Sequence, residues 1–205
     1  GSGFNGIISV NARLSDRVNA AIRYETVTTM EMETETDVND WAALTAAPFN
    51  SFADGFEQRR DLPAVLAGGV TYQANDKLNL ALSGNYYFLE QADQGQEDAY
   101  DDDYKNGYEI GTGMDYQITP KVMGGLSYLY SNLGGGPDTF NDFEYSLNAH
   151  FISTGMRLAA SESLDLNGAL GYLFCEEGEV DEGLFDGSTY NKNVFYLGIG
   201  LEASF

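Results

Sequence analysis

The sequence has no long uninterrupted hydrophobic run, and no stretch approaches the roughly 20 consecutive apolar residues that a membrane-spanning helix requires. It has one cysteine, Cys175, so no internal disulfide can form. Only 10 lysines and arginines accompany 32 aspartates and glutamates, and the net charge of −22 argues against nucleic acid as a partner. The composition thus excludes a helical membrane protein and a disulfide framework.

The chain is instead rich in residues of β-strands and tight turns, with 14 tyrosines, 12 phenylalanines and 24 glycines among its 205 residues. Residues 195–205 show the pattern most clearly, because apolar side chains alternate there with polar or very small ones. A soluble sandwich would bury the apolar face of such a strand in a core. An outer-membrane barrel would turn that face to lipid and the polar face to the lumen.

Period-two alternation bounded by turn residues predicts about nine strands. The connections alternate between tight turns of three residues and long segments, which is the layout of an outer-membrane barrel. The predicted strands are residues 6–14, 17–36, 62–74, 78–91, 108–118, 122–133, 143–159, 164–176 and 192–205.

The fold class predicted is therefore all-β, a transmembrane antiparallel β-barrel that crosses a bacterial outer membrane several times. If the terminal Phe205 is periplasmic, the first strand begins outside the cell, and such barrels have an even number of strands. Residues 1–205 are thus expected to be either a single barrel domain with one strand miscounted or the C-terminal part of a larger barrel, with no N-terminal plug.

The alternation changes phase within the seventh predicted strand. Phe151 belongs to one set of alternating residues and Ile152 opens the opposite set, so we expect a β-bulge near Phe151 that adjusts curvature or opens the wall. The same alternation predicts that His150 points into the lumen. A hydrolase would need His150 as a base beside a serine nucleophile and a third, orienting group. The sequence places no such third group there, so we expect no enzyme activity.

Several segments resemble the FadL-like long-chain fatty acid transporters, which include the toluene and xylene channels. The resemblance rests on residues 62–72 with the following turn 75–78, on residues 104–108 leading to 113–117 and 119–121, and on the closing residues 196–201. It covers most of residues 6–205. It implies a barrel of about 14 strands with an N-terminal plug and a lateral opening for hydrophobic cargo, so the missing strands would lie upstream in the same barrel.

A ligand-binding function is predicted for one apolar loop and for part of the lumen. Phe49, Phe52 and Phe56 follow at spacings that place them on one helical face, and such exposed apolar patches mark binding surfaces; alternatively, the loop packs over the barrel mouth as a lid. Arg59 and Arg60 could meet a fatty carboxylate. The complete predicted set is Trp41, Leu44, Phe49, Phe52, Phe56, Arg59, Arg60, Tyr87, Leu89, Leu129, Leu173 and Tyr196.

Two acidic runs, residues 97–103 and 176–182, offer the oxygen ligands that Ca²⁺ requires. Asp101, Asp102 and Asp103 are the predicted ligands of a structural Ca²⁺ that would bridge to lipopolysaccharide. The alternative is a solvated, self-repelling loop. No other cofactor is expected.

The sequence thus predicts uptake of long-chain fatty acids or other hydrophobic small molecules across an outer membrane, with membrane lipid and lipopolysaccharide as neighbours. The alternative is a structural or general-diffusion barrel with a wet lumen and no specific hydrophobic ligand. A surface-adhesion barrel that uses Ca²⁺ at the acidic loops is a third class.

Overall fold

The computed structural model describes residues 1–36, 53–95, 103–140, 145–180 and 186–203. Its strands, in chain order, are β1 (Ile7–Arg13), β2 (Val18–Glu25), β3 (Glu31–Glu33), β4 (Glu57–Arg59), β5 (Ala64–Asn75), β6 (Leu78–Phe88), β7 (Gly107–Thr119), β8 (Val122–Asn132), β9 (Ala149–Ala159), β10 (Leu164–Cys175), β11 (Gly178–Glu179), β12 (Thr189–Tyr190) and β13 (Asn193–Ala203).

Within the described residues, nine of these strands form one antiparallel sheet in the order β1-β2-β5-β6-β7-β8-β9-β10-β13. Each of these nine strands pairs only with the wall strands that come before and after it in this order, so the sheet is a meander. Two short hairpins, β3–β4 and β11–β12, lie outside it. This architecture confirms the predicted all-β fold and the predicted number of wall strands.

The two faces of the sheet differ in chemistry as predicted. Register partners across β5 to β8 place Tyr72, Leu80, Met114 and Leu126 in one row of the apolar face. Leu80, Leu126, Leu170 and Leu201 are 38%, 48%, 45% and 73% exposed, and in the described residues no large side chain is fully buried. These leucines therefore do not pack into a dry interior, and the apolar face is the surface that lipid covers.

The tight turns join the strands at one end of the sheet, which we call the turn end. The long connections lie at the opposite end, which we call the loop end. At each turn a side chain caps the backbone. Asn75 Oδ1 accepts hydrogen bonds from the N–H groups of Lys77 and Leu78, and Thr119 Oγ1 accepts from Lys121 and Val122. Ser15 and Ser161 cap the other two turns in the same manner. Such Asx and ST turns fix the register of the flanking strands.

The predicted bulge near Phe151 is wrong. Strand β9 runs in continuous register with β8 and β10, and it begins only at Ala149. The phase change arises because residues 145–148 precede the sheet, so their alternation does not belong to the strand. Register shifts occur instead beside two tight turns, at Gln73/Asn75 and Gln117/Thr119.

The second predicted strand, residues 17–36, is also interrupted. Strand β2 ends at Glu25, and the chain continues through a Thr28–Leu62 bridge into the β3–β4 hairpin. Among the described residues, no helix is long and apolar enough to cross a membrane.

Candidate functional site

An apolar shelf lies on the polar face of the sheet, which we call the lumen face. Leu129, Phe151, Leu173 and Val194 are register partners on four successive strands, from β8 to β13. Tyr196 follows on β13, and its ring meets that of Phe151 edge to face at a centroid distance of 5.5 Å. The shelf is defined by these five residues, and three of them, Leu129, Leu173 and Tyr196, were predicted from the sequence.

Small residues surround the shelf and leave space above the wall. A Cβ on Gly171 would lie 2.6 Å from Phe151 Cζ, and one on Gly111 would lie 3.3 Å from Leu129 Cδ1. Toward the turn end, a cavity of about 390 Å³ adjoins this region, lined in part by Ala81, Gly113 and Ser153. The lumen face therefore combines a bulky apolar shelf with an adjoining hollow, an arrangement suited to a small apolar molecule.

A carboxylate stands next to the shelf on the loop side. Glu109 on β7 is the lumen-face neighbour of Gly111, which pairs with Leu129. Glu109 Oε2 accepts hydrogen bonds from Tyr87 Oη (2.6 Å) and Asn85 Nδ2 (2.9 Å), and Oε1 accepts one from Ser131 Oγ (3.0 Å). Tyr87, predicted as a ligand residue, is thus bound to Glu109.

The arginines of the nine wall strands are all ion-paired in the described structure. Arg13 pairs with Asp16, and Arg23 pairs with Glu25. Arg157 Nε lies 3.8 Å from Asp165 Oδ2. Five carboxylates, Glu25, Glu109, Asp115, Asp165 and Glu202, accompany these three arginines on the lumen face of the strands. The wall therefore presents net negative charge to the lumen.

A buried carboxylate joins three segments at the loop end. The Asp61 side chain is fully buried, and it accepts hydrogen bonds from Arg59 Nε (3.0 Å), from the Met30 N–H (3.2 Å) and from the Asp93 N–H (3.4 Å). Burial alone would raise the pKa of Asp61, but the bonds from Arg59, Met30 and Asp93 together hold that pKa below its ordinary value. This cluster, which the sequence analysis missed, fixes the base of the β3–β4 hairpin.

Arg59 and Arg60, which were predicted to meet a fatty carboxylate, lie at that cluster. Arg59 is engaged by Asp61, and its Nε also lies 3.7 Å from Asp93 Oδ2. The Arg60 N–H donates to the Met30 carbonyl. Arg59 thus ends β4 and Arg60 follows it directly, and the Arg59 guanidinium is largely neutralised by Asp61.

His150 points to the apolar face, so its predicted position in the lumen is wrong. Its register partners are Tyr130 and Phe174, and its ring stacks on that of Phe174 at 4.8 Å. Tyr128 Oη lies 2.8 Å from Nδ1 and Glu176 Oε1 lies 3.2 Å from Nε2. A hydrogen bond from Asn148, and then one from His150, lower the pKa of Glu176. This group belongs to the aromatic border of the apolar face.

Of the remaining residues predicted to bind a ligand or metal, some lie within the described part of the chain and others lie outside it. Leu89 lies in a 3₁₀ turn beyond β6, against Gly134, so its predicted place on a lumen-facing strand is wrong. Phe56 is half-buried directly before β4, and its carbonyl accepts a hydrogen bond from the Thr34 N–H. Trp41, Leu44, Phe49, Phe52, Asp101 and Asp102 lie outside the described residues.

The predicted Ca²⁺ site stays a prediction. Asp103 is half-buried, and its two predicted partners are not described. No group of three histidine, cysteine, aspartate or glutamate side chains suited to a metal occurs in the part of the chain that the structure covers.

These features define a class of protein. An antiparallel meander that exposes apolar side chains on one face, polar ones on the other, and aromatic residues along the border is the wall of a transmembrane β-barrel. The protein is thus a multi-pass outer-membrane barrel protein of a bacterium, as predicted.

Comparison with solved structures gives the particular fold. The chain is similar to a Pseudomonas aeruginosa FadL homologue, at 15% identity and a TM-score of 0.61 over 95% of this chain and 49% of that one. It is also similar to the CymD monoaromatic hydrocarbon channel (14% identity, TM-score 0.59, 99% of this chain, 51% of that one). The Pseudomonas putida toluene transporter TodX matches at 11% identity and a TM-score of 0.57, over 98% of this chain and 49% of TodX.

The chain therefore has the fold of FadL-like barrels, which confirms the predicted resemblance at the level of the fold. It spans about half the length of the solved structures that it matches. No protein-family profile matches the sequence, and no curated protein does.

Proposed function

We propose that the protein takes up hydrophobic small molecules across the outer membrane without a covalent step. The observation that carries this proposal is the apolar shelf on the lumen face. The inner wall of a water-filled pore is polar, whereas Phe151, Leu173 and Val194 lie side by side on this one. Burial of apolar surface contributes about 25 cal/mol per Å², so such a shelf retains a hydrophobic solute that water expels.

The solved structures of this fold are consistent with the proposal. CymD is a channel for monoaromatic hydrocarbons and TodX is a toluene transporter. The class of hydrophobic solutes includes both neutral hydrocarbons and long-chain fatty acids, the finer cargo suggested by the resemblance. The undescribed loop around Trp41 and Phe52 would supply the outer capture surface.

The nine-stranded sheet would form part of a larger barrel. β1 and β13 are its two edges, and unpaired edge strands are not tolerated in lipid. Because the first and ninth strands of an antiparallel meander run in the same direction, direct closure would pair them in parallel. Antiparallel closure requires an odd number of further strands, and five would complete the expected total of about 14.

Uptake of a radiolabelled hydrocarbon, toluene or decane, tests the proposed function. We expect cells that express the protein to accumulate the label faster than cells that lack its gene. Phe151→Asn, which places an amide in the shelf, should reduce this uptake by about tenfold, because an unpaired polar group opposes apolar solutes. Met123→Asn places the same amide on the lumen face of β8, away from the shelf, and should retain uptake.

Both variants must be present in the outer membrane in wild-type amounts. Equal accumulation with and without the gene would contradict the proposal.

A general-diffusion pore is the second candidate, favoured by the hydrogen-bonded serines and the charged side chains that also line the lumen face. Ser127 Oγ and Ser153 Oγ lie 2.6 Å apart there, and Arg157 faces Asp165. Conductance separates the two functions. A steady open-pore current of the purified protein in a planar bilayer would favour diffusion, and a closed baseline would favour the hydrophobic route.

The acidic run of residues 97–103 would bind Ca²⁺ that bridges to lipopolysaccharide. Its five carboxylates support this, since Ca²⁺ takes oxygen ligands. We expect ⁴⁵Ca²⁺ to bind the purified protein and the triple change of Asp101, Asp102 and Asp103 to asparagine to abolish that binding.

A further inference from the structure

Each arginine on the lumen face of the strands that the structure describes already has a carboxylate partner, for which an anionic head group would have to compete. These three arginines are paired with Asp16, Glu25 and Asp165. At the loop end, Arg59 is held by the buried Asp61. A fatty carboxylate that entered the barrel would therefore leave water without gaining an arginine of its own on the described wall.

Glu109 makes this environment repulsive for anions at the position where cargo would rest. Ser131, which donates to Glu109, lies two residues from Leu129 on the same strand, and Glu109 lies two residues from Gly111, the register partner of Leu129. The carboxylate therefore stands at the border of the shelf. Three hydrogen bonds from the wall, donated by Tyr87, Asn85 and Ser131, hold the carboxylate in this position.

The same carboxylate retains capacity for one more hydrogen bond. An ionised carboxylate offers about four acceptor sites, and the wall fills three of them, from Tyr87, Asn85 and Ser131. A hydroxyl group can use the remaining site. An ionised acid cannot, because it has no proton to donate.

Arg23, the arginine in the same row of register partners as Glu109, does not offset the charge of Glu109. Register partners place Arg23, Ala67, Asn85 and Glu109 in one row across β2, β5, β6 and β7. Arg23 is two strands removed from Asn85 and is paired with Glu25. The charge of Glu109 thus acts on the shelf without local compensation from an arginine.

We infer that Glu109 makes the lumen selective for uncharged hydrophobic solutes, such as hydrocarbons and alcohols, over ionised fatty acids. This inference rests on the proposed uptake function and defines its substrate class. Glu109 acts as a specificity-determining residue: it repels carboxylates at the shelf and accepts a hydrogen bond from a neutral hydroxyl group.

Dodecan-1-ol and dodecanoate test the inference, because they share a chain length and differ in the head group. Radiolabelled uptake at pH 7.5 into cells that express the full protein would be measured against cells that lack the gene. We expect gene-dependent uptake of the alcohol to exceed that of the acid by about tenfold, since a single like charge nearby in a partly dry lumen is worth that factor.

Glu109→Gln tests the role of the charge, because it removes the charge and keeps the size of the side chain. Its amide oxygen can still accept from Tyr87 and Asn85, and its amide nitrogen can donate to Ser131, so the fold should persist. We expect this variant to raise dodecanoate uptake toward that of the alcohol. Glu202→Gln removes the same charge from the lumen face of β13, remote from the shelf, and should leave the ratio unchanged.

The outcomes separate the two proposals. Equal gene-dependent uptake of acid and alcohol by the wild type would overturn the selectivity and leave the uptake function standing. A preference that persists in Glu109→Gln, or that disappears equally in Glu202→Gln, would overturn the role of Glu109. Absence of gene-dependent uptake for both compounds would overturn the inference together with the proposed function.

Discussion

The ring of Phe151 lies directly over Gly171 on the neighbouring strand, so close that a Cβ on the glycine would sit 2.6 Å from Phe151 Cζ. The absence of a side chain at residue 171 lets the ring lie against β10. It also brings Phe151 to its edge-to-face contact with Tyr196. One glycine thus shapes the central part of the shelf.

Gly171→Ala should displace the Phe151 ring and destabilise the barrel by about 1–2 kcal/mol, the usual cost of overpacking. We also expect slower hydrocarbon uptake. Urea unfolding of the protein in lipid vesicles measures the first effect. Gly168→Ala on the same strand is the control, because a Cβ there meets nothing within 4 Å. Equal stability of the two variants would show that Phe151 does not need this space.

Leu80→Arg should destabilise the protein in a bilayer by about 2–4 kcal/mol, because the apolar face contacts lipid. Asn79→Arg, one residue earlier, places the same side chain on the lumen face and should be tolerated. Folding yield into vesicles and urea unfolding give the comparison. The opposite order of effects would mean that lipid covers the other face.

Asp61→Asn should loosen the base of the β3–β4 hairpin. Loss of the charge-assisted bonds from Arg59 should cost about 2 kcal/mol, or roughly thirtyfold faster local opening. Hydrogen exchange of the Met30 and Asp93 amides, which donate to Asp61, measures this directly. Asp16→Asn, which breaks the exposed pair with Arg13, should change nothing measurable.

The effect of Asp61 depends on pH in a defined direction. Its pKa in the folded protein lies below the ordinary value of 3.8. A carboxylate of this kind contributes stability that is fully present above the unfolded pKa and is lost as the pH falls through the folded pKa. The difference between wild type and Asp61→Asn should therefore be constant from pH 7 to 5 and shrink below about 3.8. A difference that grows on acidification would contradict the assignment.

Asn75→Ala should destabilise the β5–β6 hairpin by about 1 kcal/mol, since two backbone N–H groups lose the side-chain oxygen that accepts from them. Asp76→Ala alters the next residue of the same turn and should have a smaller effect. Thermal unfolding in detergent compares the two. A larger loss for Asp76→Ala would show that the cap is not the stabilising element.

Much of the wall could be predicted from the sequence because period two is a direct consequence of strand geometry. In β6, β8, β10 and β13 the apolar phase runs from one end of the strand to the other, so alternation alone indicates the face on which Leu80 and Leu201 lie. The tight turns were visible because Asn75, Thr119 and Ser161 are residues whose side chains cap turns.

The failures occurred where residues alternate outside the sheet or where partners are distant in sequence. Residues 145–148 continue an alternating pattern but precede β9, which reversed the predicted face of Phe151 and His150. The Asp61 cluster joins residues 30, 59 and 93, and no local pattern reports such a contact. Glu109 could have been found, since it is the one charged residue among the glycines 107, 111 and 113 that share its phase in the first half of β7.

The meander has a consequence for how such a wall changes over time. The capped turn of each hairpin fixes the register of its two strands, and each hairpin pairs only with the hairpins beside it. Duplication or deletion of one hairpin would widen or narrow the barrel by two strands and leave every other strand pairing intact. The diameter of the passage is therefore an evolvable quantity, adjustable in whole steps and independent of the shelf chemistry on β8 to β13.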